Sequence, residues 1–121
     1  MYSELLLDHF EHPRCVGPLA DCGAHARERN PVCGDVLEFY LKAEEQELSV
    51  AFRAEGCVPV LAVGSLVADW ADGRSLQEAR QMDAKFLSAM VGPLPSSKKH
   101  AISLAVRTFK RALSELNDVQ K

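Results

Sequence analysis

Asn30–Glu44, NPVCGDVLEFYLKAE, sets a cysteine between a proline turn and a Gly-Asp pair and then runs straight into a strand pattern. Leu37, Phe39 and Leu41 alternate with Glu38, Tyr40 and Lys42, the period of a half-buried strand. After the acidic turn Glu44-Glu45-Gln46-Glu47, a second alternation places Leu48, Val50, Phe52 and Ala54 against Ser49, Ala51, Arg53 and Glu55. Two such strands joined by a short turn predict an antiparallel hairpin. A hairpin brings the start of its first strand beside the end of its second, so Cys33 and Cys57 are expected as neighbours in space.

Working outward, Leu5, Leu6, His9 and Phe10 fall on one helical face of residues 2–11, with Ser3 as N-cap and Pro13 as stop. Between Arg14 and Asn30, Gly17-Pro18 and Gly23 break the pattern, and Ala24, Ala26 and Glu28 alternate as a weak edge strand. On the other side of the hairpin, CVPVLAVGSLVADW (57–70) is apolar almost all round, the signature of a buried helix, with Pro59 in its first turn. Ser75-Leu76-Gln77-Glu78 has the capping-box pattern. Asp83 can cap a further helix with Phe86, Leu87, Met90 and Val91 inward and Gly92 as stop. Ser96 or Ser97 then caps a long last helix carrying the stripe Ile102, Ala105, Val106, Phe109, Leu113 and Leu116, with Lys98 and His100 in its first turn. Strands followed by helices predict an α+β fold: a small antiparallel sheet of about three strands, covered on one face by helices, with a long C-terminal helix.

The 121 residues are enough for one domain, 1–121, with a core that needs no disulfide or metal staple. A net charge of −3 disfavours nucleic acid and acidic membrane surfaces as partners. No apolar run approaches the roughly 20 residues of a bilayer span, and the N-terminus lacks a basic signal region. A cytoplasmic, reducing setting is the expectation. There Cys15, Cys22, Cys33 and Cys57 read as thiols, metal ligands or reactive groups.

Each cysteine alone supports a bland reading, since free Cys is a common small core residue. Gly34 lets a ligand approach the backbone beside Cys33, and the helix N-terminus expected at Cys57 favours a thiolate there. Two converging thiols with Asp35 a strand step away, and His100 if the last helix starts nearby, match the ligand menu of zinc and suit iron-sulfur clusters. C-x-x-C spacing is missing, so spacing alone leaves the metal open, as it leaves open a four-thiol set including Cys15 and Cys22. His9, His12 and His25 read as surface residues.

At these residues the chain resembles the iron-sulfur cluster assembly scaffold family, the IscU and NifU N-terminal type. YSELLLDHFEHPRCVG is similar to that family's opening helix and turn, NPVCGD to its first ligand motif, EGC to its second, and LPSSKKHA to its third. The resemblance implies a non-enzymatic scaffold that binds iron or a cluster, [2Fe-2S] first among the types, and passes it to apo-proteins. It implies Cys33 and Cys57 as ligands, with Asp35 shaping the site and His100 able to ligate. Leu94, Pro95 and Lys98 fall on a chaperone-recognised segment, although Ser96 and Ser97 erode its pattern, and a cysteine desulfurase is the implied sulfur donor. The family's third cysteine falls on Ala101. Two outcomes follow from that departure: a mixed-ligand cluster or zinc site with Cys15 as auxiliary thiol, or a docking or regulatory protein that builds no cluster.

Overall fold

A computed structural model describes residues 2–31 and 33–119, so Val32 of the cysteine loop lies outside the described residues. β2 (Val36–Glu44) and β3 (Glu47–Glu55) form the expected hairpin, with Val36 opposite Glu55 and Phe39 opposite Phe52. β1 (Ala24–Arg29) pairs antiparallel on the far side of β2, giving the order β1-β2-β3. The period-2 pattern sends Leu37, Phe39, Leu41, Leu48, Val50 and Phe52 into the core. The opposite face is polar: His25 stacks on Tyr40 with ring centroids 4.7 Å apart, and Glu38 accepts from His25 Nε2 at 2.7 Å and the Tyr40 hydroxyl at 3.1 Å.

Two helices cover the apolar face, as the α+β reading expects. α2 (Val58–Ala71) lies against β3, and α5 (His100–Val119) against β1 and β2, where the edge of Phe109 meets Phe39 at 5.5 Å. Gly64 sets the depth of α2, because a Cβ there would stand 2.8 Å from Leu37 Cδ1 and 2.9 Å from Phe52 Cδ2. No helix among the described residues is long and apolar enough to cross a membrane.

The outer edge of β3 is closed rather than left as a template for another strand. Phe52 N–H donates to the Cys15 carbonyl at 2.8 Å and its carbonyl accepts from Gly17 N–H at 2.9 Å, while Leu48 bonds Arg74 and Gly73 at the other end. Val50 N–H is taken by the Asp72 carboxylate at 2.9 Å.

α1 (Glu4–Glu11) is capped by Ser3, whose hydroxyl accepts from Leu6 N–H, but its expected face is narrower than four residues. Leu6 and His9 are buried, whereas Leu5 is 45% and Phe10 38% exposed, because they flank the centre of the stripe at 100° per residue. His9, expected at the surface, is only 2% exposed. Its Nδ1 lies 2.8 Å from Ser65 Oγ, which also accepts from Arg14 N–H at 2.8 Å. The Ser65 hydroxyl thereby ties the buried ring of α1 to the chain at Arg14. Burial pushes the His9 pKa below 6.5, reinforced by the Arg14 charge and opposed by Asp69 and Asp8.

α3 (Leu76–Ala79) carries the full Ser75–Glu78 capping box, and α4 (Ala84–Val91) is capped by Asp83 and stopped by Gly92 at φ 82°. Phe86 of α4 does not turn inward; it stays exposed, with its ring edge-on to Trp70 at 5.3 Å. The last helix starts later than expected. Ser96–Lys98 form a 3-10 turn closed by Lys98 N–H on the Pro95 carbonyl at 2.8 Å, so Ser96 and Ser97 do not cap α5, and Lys98 precedes it.

Two outcomes test this description. Glu45 and Gln46 both take positive φ, 52° and 73°, as a tight two-residue hairpin turn requires. Gln46→Gly should raise the unfolding free energy by about 0.5–1 kcal/mol, read as a higher urea midpoint at unchanged slope. The depressed His9 pKa means that the unfolded chain binds the proton more readily, so stability should fall as the pH drops below 6.5. Urea titrations at stepped pH should lose part of that slope in His9→Gln.

Candidate metal site

The sequence builds the site where three segments meet at one end of the sheet. The loop before β2 is folded on itself, with Gly34 N–H donating to the Asn30 carbonyl at 2.7 Å and Asn30 N–H to the Asp35 carbonyl at 2.8 Å. Gly34 takes φ 77°, and Cys33 is left exposed at the tip. The second segment is the exit from β3, where Gly56 leads into Cys57, the N-cap of α2. The third is the start of α5, which presents His100.

Asp35 joins all three. The residue is 4% exposed; Oδ1 accepts from Cys57 N–H at 3.0 Å, and Oδ2 lies 2.8 Å from His100 Nε2 and 3.5 Å from the Cys57 thiol. The carboxylate reaches Cys57 only because residue 56 has no side chain: a Cβ there would stand 2.0 Å from Asp35 Oδ1, at φ 135°. Burial alone pushes the Asp35 carboxyl up, but the hydrogen bonds from His100 and from the N–H and thiol of Cys57 outweigh it and hold the group below its ordinary 3.8.

Cys57 corrects the thiolate expectation. Burial pushes its thiol above 9.0, and the Asp35 carboxylate adds to that, while the Val60 N–H and the Lys98 charge oppose it. A helix N-terminus favours an anion, and the Val60 N–H acts on the sulfur in that sense, but burial and the neighbouring Asp35 carboxylate outweigh it. Metal binding at this thiol therefore has to release a proton.

The ligating atoms of Cys33, Asp35 and His100 lie within 4.8 Å of one another, and Cys57 joins them through Asp35. Two thiols, a carboxylate and an imidazole form a set that can hold zinc, iron or an iron-sulfur cluster. His100 is oriented for it: Nδ1 lies 3.1 Å from the Ser97 carbonyl, which leaves Nε2 turned to the site.

The remaining sequence candidates spread around and away from this tip. Lys98 is half-buried with its charge felt at Cys57, Leu94 packs on the core edge, and Pro95 is exposed just before the 3-10 turn. Ala101 is 1% exposed, within the core. Cys15 is not brought to the site. Its thiol, pushed up to about 11 by burial and by the Asp72 and Asp69 charges, lies toward the C-terminal end of α2, a helix of 14 residues with Cys57 at its other end. That helix is roughly 21 Å long. Sequence reading did not anticipate the part played by Gly56, although its place before Cys57 in EGC was the available signal.

A family profile described as NifU-like N terminal domain matches residues 1–121. The chain belongs to this family. Among its relatives, the "Iron-sulfur cluster assembly scaffold protein IscU 1" of Archaeoglobus fulgidus is 32% identical over 114 residues, covering 93% of this chain and 74% of the relative. The protein titled "Iron-sulfur cluster assembly scaffold protein IscU" of Azotobacter vinelandii is 33% identical over 120 residues, 94% of this chain and 92% of the relative. A crystal structure of a putative iron-sulfur cluster assembly scaffold protein from Fervidobacterium islandicum superposes with a TM-score of 0.75 over 93% of this chain and 96% of its own, at 18% identity, which establishes the shared fold.

The site's geometry carries a direct test. Gly56→Ala would drive the Asp35 carboxylate from its place, so zinc or ferrous-ion affinity should fall by at least tenfold, with a lowered melting temperature. Asp35→Asn, which keeps the shape, should lower affinity while largely keeping the fold. Metal affinity equal to that of the unaltered chain in both variants would refute the role given to this carboxylate.

Proposed function

We propose that this chain is an iron-sulfur cluster assembly scaffold: a non-enzymatic carrier that receives iron and sulfur, holds a cluster transiently and passes it to apo-proteins. The observation that carries this reading is the convergence of Cys33, Asp35, Cys57 and His100 at one partly open tip. The family and the scaffold proteins among its relatives support the same reading. In it the cluster is cargo, and [2Fe-2S], in which histidine can replace cysteine on one iron, is the form proposed for this mixed donor set. Cys33 and Cys57 supply thiolates, and His100 and Asp35 supply the other two groups.

The partners that follow are a cysteine desulfurase as sulfur donor, apo-proteins as acceptors, and a chaperone reading the segment of Leu94, Pro95 and Lys98. Thiol, carboxylate and imidazole are also zinc donors, which supports as second reading a zinc-binding sulfur acceptor that docks the desulfurase without building clusters.

Anaerobic addition of ferrous iron and sulfide, followed by visible spectroscopy and metal analysis, separates the two. The scaffold reading expects charge-transfer absorbance that Cys33→Ser and Cys57→Ser each abolish and His100→Ala weakens or shifts. A colourless protein holding one zinc per chain supports the second reading, and a protein that binds neither overturns both.

A further inference from the structure

At the end of α2 opposite Cys57, the structure leaves an apolar groove of about 510 Å³ between α1, α2 and α4. Its floor and walls come from Leu66, Met90, Trp70 and the exposed Leu5, and Phe86, also exposed, continues the strip beyond Trp70. Strips of this kind on an otherwise charged surface mark sites of protein contact. The rim is negative. Asp69 is 52% exposed, and the one cationic-type group within 4.0 Å of it among the described residues is His9, which is neutral. Asp72 adds a second carboxylate just past the last turn of α2. The nearby Arg74 is already engaged: its guanidinium sits 4.6 Å over the Trp70 ring and bonds the Trp70 carbonyl and Glu78.

We infer that this groove docks a basic amphipathic helix of a partner protein, apolar residues on Leu5, Met90 and Trp70 and a Lys or Arg on Asp69. An amphipathic helix in a groove uses such spacing, and a long cationic side chain can lay its stem on the apolar wall while its head reaches the carboxylate. A second copy of this chain is a poor occupant. Its long helix with Arg107, Lys110 and Arg111 has its apolar stripe in the core and both arginines on Glu28. Because the groove and Cys57 lie at opposite ends of α2, the partner would leave the metal site open, and the inference stands apart from what that site carries.

Trp70 is the one tryptophan in the chain, so its emission reads the groove directly. A tryptophan-free model helix built of Leu and Lys, titrated into the full chain, should give a saturable emission shift, weakened by added salt. The same helix with Glu for Lys should give none. Asp69→Lys and Leu5→Asp, both at exposed positions, should weaken binding by at least tenfold while circular dichroism and metal binding stay unchanged, and Asp69→Asn should fall between. No saturable shift, equal binding of the Glu helix, undiminished binding by Asp69→Lys, or a self-dimer that covers Trp70 would each overturn the proposal.

Discussion

The buried carboxylate of Asp35 is the point on which the rest of the metal end depends. One side chain, almost without solvent, ties the loop before β2 to the N-cap of α2 and to the first residue of α5. Such a group is tolerable only if its oxygens are satisfied, and here a backbone N–H, a thiol and an imidazole share the task. Remove the carboxylate and three chain segments lose their common partner. The backbone accommodates it at a specific cost, a residue without a side chain at 56 in a conformation that other residues rarely adopt.

The same contacts explain why the fold was more legible than the site. Strand alternation in β2 and β3 is a two-residue pattern with one buried face, so the register, and with it the placing of both hairpin ends at one end of the sheet, follows from local sequence. Caps at Ser3, Ser75 and Asp83 are equally local. His9 was not legible because its burial depends on Ser65, which lies 56 positions away on α2 and whose hydroxyl gives the ring a partner. The ionisation of Cys57 was misread for a related reason: the helix terminus is visible in sequence, but the burial of the thiol and the carboxylate beside it, from the loop before β2, are tertiary. Likewise the proline-led 3-10 turn postponed α5, although His100 still opens it.

α2 gives the molecule two unlike ends. Its N-terminus meets Asp35 and the thiol of Cys57, and its C-terminus meets Asp69, Asp72 and the edge-closing contacts of β3. The helix is buried nearly all round, with Gly64 letting it sit close on Leu37 and Phe52, so it has little freedom to tilt independently of the sheet. Anything docked at one end meets a rigid body that also positions the other.

That rigidity bears on how a site can be ordered and still open to exchange. The donors satisfy one another: His100 and the Cys57 thiol both turn to Asp35, and the ionised carboxylate is held below its usual range by them. Entry of a metal ion must therefore replace these contacts, and it must also displace the proton that burial and Asp35 keep on Cys57. Each ligand gained is set against a hydrogen bond lost, so net affinity is smaller than the donor count alone implies. A cargo held on these terms is bound where the scaffold is rigid, yet it leaves behind groups that already have partners to return to. That balance suits a carrier better than a permanent structural metal site, whose ligands have no such alternative.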